Sequence, residues 1–492
     1  MKRLPKKDRC LDMAEKSVKK NYLYNVGYQI MLLIVPLVVT PYVSRVLGAD
    51  GIGIYSYINS VVSYFVLFAT LGTITYGQRE IAYFQHDTYK RSIAFWEIFI
   101  IRLFGSLILT TIYVAFCFWH RDNRIIYLIF TFNILSIITD ISWYFQGMEE
   151  FKKIVLRNVI FKIVNIIFIF VFVKTKNDLP IYIMGMCVIP MVGNFLLWFS
   201  LRGSICKIHI NQIKPFKRVK GILLLFVPTI AIQVYTVLDK TMIGVITKNS
   251  FENGYYDQAE KLAKMALAIV TSLGAVLIPR IGAYFAQNKY EEIKEYMYKS
   301  YRFVWMIATP LCLGMIGVSS NFIPWFLGTG YDDVIPLLKV LSFLILAIGI
   351  NNVTGMQYLI PTKRENTFTL TVCIGAGVNL VGNLVLIPLI GAMGAAIATV
   401  LAEATIAVVQ IFIVRKELSM KHIIKVSWKY LISGMIMLGG VELSAYFFSP
   451  SILNTIILVM VGGSLYFLLL LLMKDEMIIY ILNRIFIKKK NE

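Results

Sequence analysis

Apolar runs of about 20 residues, broken by short charged or turn-rich segments, recur along the whole 492-residue chain. A run of that length spans the hydrocarbon of a bilayer as one α-helix. The pattern predicts about fourteen spans. The first six centre near Ile34, Tyr64, Leu107, Leu135, Ile166 and Ile189. The next six centre near Ile232, Ile269, Ala308, Ile345, Val378 and Thr399, and two more near Met435 and Val461. The eighth is unusual, because Glu260, Lys261 and Lys264 fall in its predicted first turns. The fold class expected is an all-α membrane protein.

The charges between the runs alternate in a way that tests the count. With a cytoplasmic N-terminus, the inner segments are 1–20, 77–93, 147–158, 200–220, 280–302, 361–367, 415–429 and 474–492. They hold 37 of the 49 Lys and Arg, while the outer connections hold 6. Positive charge retained on the cytoplasmic side sets orientation. A missed span would invert every later segment, so the count is expected to be even with both termini inside. The expected organisation is a basic N-terminal segment (1–20), a six-helix bundle (21–203), a cytoplasmic linker (204–218), a second six-helix bundle (219–415), two additional spans (426–473) and a basic tail (474–492). The N-terminal segment reads as the start of an uncleaved first span, since the apolar run after it is too long for a signal peptide.

A repeat underlies the two bundles. Arg79-Glu-Ile-Ala82-Tyr83-Phe84 with Tyr89 returns as Arg280-Ile-Gly-Ala283-Tyr284-Phe285 with Tyr290. Val164-Asn165 returns as Val378-Asn379. Six spans per copy is even, so the copies point the same way, as a parallel pseudo-repeat around a central cavity suited to alternating access. Pro36 and Pro41 in the first run, Pro228 in the seventh and Pro310 in the ninth are expected to bend their helices.

Composition narrows the class further. Hydrophobic residues make up 58%, charged residues 16%, and the mean hydropathy is +0.70. Lipid is therefore the solvent for most of the chain. The net charge of +21 reads as sidedness rather than as nucleic-acid binding. The six cysteines have no C-x-x-C or metal-ligand spacing, so neither a disulfide framework nor a metal site is expected. No Gly-rich phosphate loop followed by Lys-Ser/Thr is present, which argues against an ATP-driven pump.

Charges inside spans are costly, about 2.5–3.5 kcal/mol each on the insertion scale, so they point to function. Glu97, Lys162 and Lys339 lie near enough to predicted helix ends to snorkel. Asp257–Lys261 and Glu260–Lys264 read as i,i+4 pairs that support a helix start. Arg102, Asp140, Lys240 and Glu403 lie deeper, with Asp239 beside Lys240. An interior, water-lined position is expected for them. Arg102 and Lys240, with Arg45 at the end of the first run, suit an anionic phosphate. Arg79 and Arg280, at matching positions of the repeat, either flank an inner mouth or anchor the chain by sidedness alone. Asp140, Asp239 and Glu403 are the candidates for coupling to an ion.

Several blocks resemble bacterial polysaccharide flippases of the Wzx/RfbX type, within the MOP exporter superfamily. They are Pro41-Tyr-Val-Ser-Arg45-Val-Leu-Gly48 with Gly51-Ile-Gly53-Ile-Tyr55-Ser56, Trp143-Tyr-Phe-Gln146-Gly147-Met-Glu149, and Asn379 with Leu386 to Thr399 and Glu403. The resemblance implies a plasma-membrane transporter, not an enzyme. It would move undecaprenyl-diphosphate-linked oligosaccharide from the inner to the outer leaflet for capsule, O-antigen-like or teichoic-acid-type polymer. It implies a cationic lumen, no cofactor, coupling to H+ or Na+ or to the membrane potential, and work alongside a polymerase and glycosyltransferases. The alternatives are another MOP exporter (a lipid II flippase or a cation/drug antiporter) or a membrane-embedded polymerase. An organic-cation site should be acidic, and a polymerase should carry a substantial outer loop. The longest outer connection, 319–333, holds only Asp332 and Asp333 as charges.

Overall fold

The computed structural model describes residues 6–119, 122–272 and 274–479. The predicted segment 1–20 is described only as helical backbone from Lys6, the tail 474–492 only as far as Ile479, and the Pro228 side chain lies outside the described residues. The described residues are helical throughout their elements, with no strand.

Two compact units divide the chain. The first comprises Met1–Gly51 and Tyr57–Val237. It holds α1 (Lys6–Thr70), α2 (Thr73–Tyr83), α3 (Thr88–Trp119), α4 (Arg124–Thr139), α5 (Ser142–Gly147), α6 (Phe151–Phe172), α7 (Leu179–Leu196) and the start of α8 (Phe216–Thr247). The second comprises Ile52–Ser56 and Leu238–Glu492. It holds the rest of α8, α9 (Ser250–Thr271), α10 (Gly274–Ala286), α11 (Tyr290–Phe326), α12 (Val334–Leu341), α13 (Phe343–Asn351), α14 (Glu365–Ile390), α15 (Ala392–Val414), α16 (Met420–Ala445) and α17 (Ile452–Leu472). Every predicted span centre falls in a helix. Among the described residues, ten helices are long and apolar enough to cross a membrane, so the chain is a multi-pass membrane protein and the count of fourteen is not reached on that measure. One of the ten, Ile34–Tyr83, is 50 residues long, more than two crossings require.

The breaks within helices fall where backbone chemistry demands them, and not always at proline. Pro36 and Pro41 sit inside α1, yet its non-helical residue is Gly48, at φ 71° and ψ 173°. A positive φ favours glycine because no Cβ clashes there. The fourth predicted span is interrupted at Asp140, whose extended backbone ends α4 (φ −78°, ψ 107°). Its carboxylate accepts from the Ser142 amide at 2.9 Å. Beyond it, Trp143, Tyr144 and Phe145 are fully enclosed, and Trp143 stacks on Phe95 of α3 at 5.4 Å. The tenth predicted span is composite. After α13 the chain widens over Asn352–Leu359, where the Ile360 amide reaches back five residues to the Gly355 carbonyl. Such wide turns often mark functional places in helices.

In unit 2, α9 starts on an Asn249 cap, whose side chain accepts from the Phe251 amide at 3.1 Å. Asp257 and Glu260 therefore lie two to three turns inside the helix, not at its start as the charge pattern suggested. The crossing of 52–56 with α9 is the tightest backbone approach here. A Cβ on Gly53 would stand 1.7 Å from the Ser250 carbonyl oxygen and 2.9 Å from the Gly254 amide. Gly53→Val is thus expected to destabilise the protein by at least about 1–3 kcal/mol, the usual cost of overpacking. Gly463→Ala, with nothing within 4 Å, should leave the melting temperature of detergent-purified protein unchanged.

Candidate functional site

In unit 1 the deepest cation is already fully engaged. Arg102 is 2% exposed. Its guanidinium donates twice to the Ile137 carbonyl, at 2.9 and 3.2 Å, and once to Thr73 Oγ1 at 3.5 Å. It pairs with Asp140 at 3.6 Å. The Ile137 carbonyl and Asp140 lie at the broken end of α4, where helix carbonyls are left without amides. Arg102 therefore holds the α4–α5 break in shape, and Asp140 serves the same junction.

Glu97 does not snorkel. It is buried and accepts from the Lys214 amide at 2.9 Å and from Arg218 Nε at 2.6 Å. Arg218 also pairs with Glu80 of α2, which ties the start of α8 to α2 and α3.

Lys162 does not lie near a helix end either. It is the twelfth of the 22 residues of α6, roughly 16 Å from either terminus at 1.5 Å per residue. Leu156, Ile160, Ile163, Ile167 and Val171 form the exposed apolar stripe of α6. Lys162 is on the opposite half of the helix, with Asn158 and Asn165 beside it at helical spacing. It is half-buried, and no ion pair or hydrogen bond engages it among the described residues. Sequence reasoning missed this residue because its depth depends on helix boundaries a few residues wide.

Unit 2 gathers charge more densely. Lys240 Nζ lies 2.6 Å from Asp257 Oδ1 and 3.0 Å from Glu260 Oε2. Lys261 and Lys264 take the outer oxygens of the same two acids at 3.1 and 2.6 Å, so both i,i+4 pairs form. Ser56 donates to Asp257 at 3.2 Å. Three lysines against two carboxylates leave one net positive charge, carried toward the partly exposed Lys261 and Lys264.

Asp239, one residue away, faces a different shell. One carboxylate oxygen accepts from Asn379 and Asn383 at 3.0 and 2.7 Å. The other accepts from the hydroxyls of Tyr256 and Thr399, both at 2.6 Å. Asp239 is 5% exposed and has no ion pair among the described residues. The Asn383 side-chain oxygen beside it is buried without a donor. Asn379 and Asn383, one helical turn apart on apolar α14, were the signal available in the sequence; Tyr256 and Thr399 carried none.

The remaining candidates lie apart from these clusters. Glu403 is half-buried and accepts from Asn351 at 2.5 Å. Arg45 is exposed, three residues before Gly48. Arg79 and Arg280 are both exposed, and each lies over a tyrosine: Tyr76 at 5.3 Å and Tyr296 at 4.5 Å. No group of three His, Cys, Asp or Glu side chains is placed to hold a metal ion among the described residues.

A family model described as "Polysaccharide biosynthesis protein" matches residues 18–285. An Escherichia coli K12 protein named "Putative O-antigen transporter" is 22% identical over 409 residues, covering 82% of this chain and 97% of the relative. A Shigella dysenteriae protein of the same name is 22% identical over 386 residues, covering 75% and 93%. Among solved structures, the lipid II flippase MurJ in an inward closed conformation superposes with a TM-score of 0.73 at 17% identity, over 93% of this chain and 99% of that one. An inward-facing MATE family multidrug transporter of the MOP superfamily reaches 0.60 at 13% identity, over 86% and 96%. At these identities the structural likeness shows a shared all-helical fold. The family match spans more than half of the 492 residues, and the chain belongs to the polysaccharide biosynthesis protein family.

Proposed function

We propose that the chain is a flippase. It carries undecaprenyl-diphosphate-linked oligosaccharide repeat units from the inner to the outer leaflet of a bacterial plasma membrane, by alternating access, to supply a capsule, O-antigen-like or teichoic-acid-type polymer. The observation that carries this reading is the match along 97% of the length of a protein named as an O-antigen transporter. The physical need is clear: a diphosphate and its sugars lose their water in hydrocarbon at prohibitive cost. Charged groups on the protein-facing sides of spanning helices lower that barrier.

In this reading Lys162 is the phosphate-binding group of unit 1, and the net cationic Lys240 cluster is that of unit 2. Arg45, Arg79 and Arg280 collect it at the membrane surfaces. Arg102 and Asp140 act through the shape of the α4–α5 break, and Glu403 through α13. Asp239 is the coupling residue. Its carboxylate, the orphaned Asn383 oxygen and the Tyr256 and Thr399 hydroxyls form an all-oxygen set suited to H+ or Na+. The bundles 21–203 and 219–415, with 426–473 added and both termini cytoplasmic, are the working parts. A polymerase and glycosyltransferases are the functional partners.

Deleting the gene is expected to abolish surface polymer and to accumulate lipid-linked repeat units on the inner leaflet. A plasmid copy should restore both. Lys162→Ala should restore about tenfold less polymer at equal protein level, in line with the loss of one charged hydrogen bond. Lys162→Arg should recover much of it. Polymer at wild-type level from Lys162→Ala would remove that residue from the path.

A further inference from the structure

The segment joining α7 to α8 is fixed to unit 1 at several points. The Ser204 carbonyl accepts from Arg91 at 2.9 Å and from Tyr144 at 3.1 Å. The Cys206 amide donates to Ser92 at 3.0 Å, and Lys214 and Arg218 are held by Glu97. Residues of this segment line a cavity of about 660 Å³, within the range of ligand pockets. Its lining is mostly apolar and aromatic and includes Trp96, Trp198, Ile205, Ile208 and Ile213. Arg202 and Lys207, both exposed, also line it.

The surroundings restrict what can enter. Residues 201–220 contain six Lys and Arg and no acid. Ile210 is 85% exposed and Phe216 is 89% exposed, on either side of Lys214. Tryptophan, exposed aliphatic side chains and an excess of cations together are the signature of the membrane–water boundary on an anionic leaflet. A protein or nucleic-acid partner would leave the apolar slot without a purpose.

We propose that this cavity binds one anionic phospholipid, with an acyl chain along its apolar lining of Trp96, Trp198 and the isoleucines and its phosphate on Arg202 and Lys207. The lipid fastens the α7–α8 connector of unit 1 to the bilayer surface. The site is separate from the charged clusters assigned to transport and does not depend on that assignment.

The test uses the full chain in detergent, titrated with palmitoyl-oleoyl-phosphatidylglycerol, with the phosphatidylcholine of the same chains, and with undecaprenyl phosphate, and read by native mass spectrometry. Wild-type protein is expected to retain one phosphatidylglycerol about tenfold more tightly than phosphatidylcholine, and the double variant R202A/K207A to lose that preference. Brominated phosphatidylglycerol should quench wild-type tryptophan fluorescence at lower mole fraction than the brominated choline lipid, and the two curves should merge in the double variant. Equal retention of both phospholipids, a preference unchanged in R202A/K207A, or displacement of phosphatidylglycerol by equimolar undecaprenyl phosphate would each overturn the proposal.

Discussion

Lys240→Ala is expected to cost about 3–5 kcal/mol of stability, the range for breaking one partner out of a buried ion pair. Lys240 Nζ touches both Asp257 and Glu260, and each acid side chain is only 8% exposed. Without the lysine, two carboxylates stay enclosed with only the outer lysines, Lys261 and Lys264, to oppose them. Melting of purified protein should shift to markedly lower temperature, and the amount in the membrane should fall. A triple variant, K240M/D257N/E260Q, removes all three charges together and should regain much of the stability, because neutral groups need no counter-charge. Polymer export then separates the roles. A stable triple variant without export assigns the cluster to the substrate path, and one with full export makes it structural. A melting temperature unchanged in Lys240→Ala would mean that Lys240 is not the centre of the cluster.

The second large effect is expected at Asp239, and it separates charge from packing. In Asp239→Ala the amides of Asn379 and Asn383 and the hydroxyls of Tyr256 and Thr399 lose their shared acceptor. Orphaned buried donors cost about 1–3 kcal/mol each, so this variant should fold poorly. Asp239→Asn keeps the shape. Its amide oxygen can face the two asparagines, while its NH2 faces two hydroxyls, which accept as readily as they donate. The isosteric variant should therefore melt near the wild type yet lose the charge. In proteoliposomes, flipping driven by a proton or sodium gradient should fall at least about tenfold, and adding the gradient should no longer accelerate it. A gradient effect equal to wild type in Asp239→Asn would remove this residue from coupling.

Both variants depend on contacts of different legibility. The repeat unit Arg79…Tyr89 and Arg280…Tyr290 was visible in the chain, and in both copies the arginine lies over a tyrosine ring. The i,i+4 pairs of α9 were equally plain, since helical spacing alone brings Asp257 to Lys261. Lys162 was misread because a shift of a few residues in the ends of α6 moves it from a helix terminus to the middle. The pattern alone suits Arg102 to an anion, but the carbonyl it serves is exposed only by the break at Asp140. That break follows from a local turn around one carboxylate, which hydropathy does not report.

Residue order alone places this protein in lipid, locates its helices to within a few residues, and marks its interior charges as needing an explanation. Each of these follows from the transfer free energy of residues along the chain, a property that adds up without knowledge of contacts. Which of those charges are already paired became visible only in the folded chain. Glu97 meets Arg218 across 121 positions, and Asp239 meets Asn383 across 144. Ion pairing and hydrogen bonding act over a few ångströms, and distances on that scale are set by helix packing, which residue order does not express.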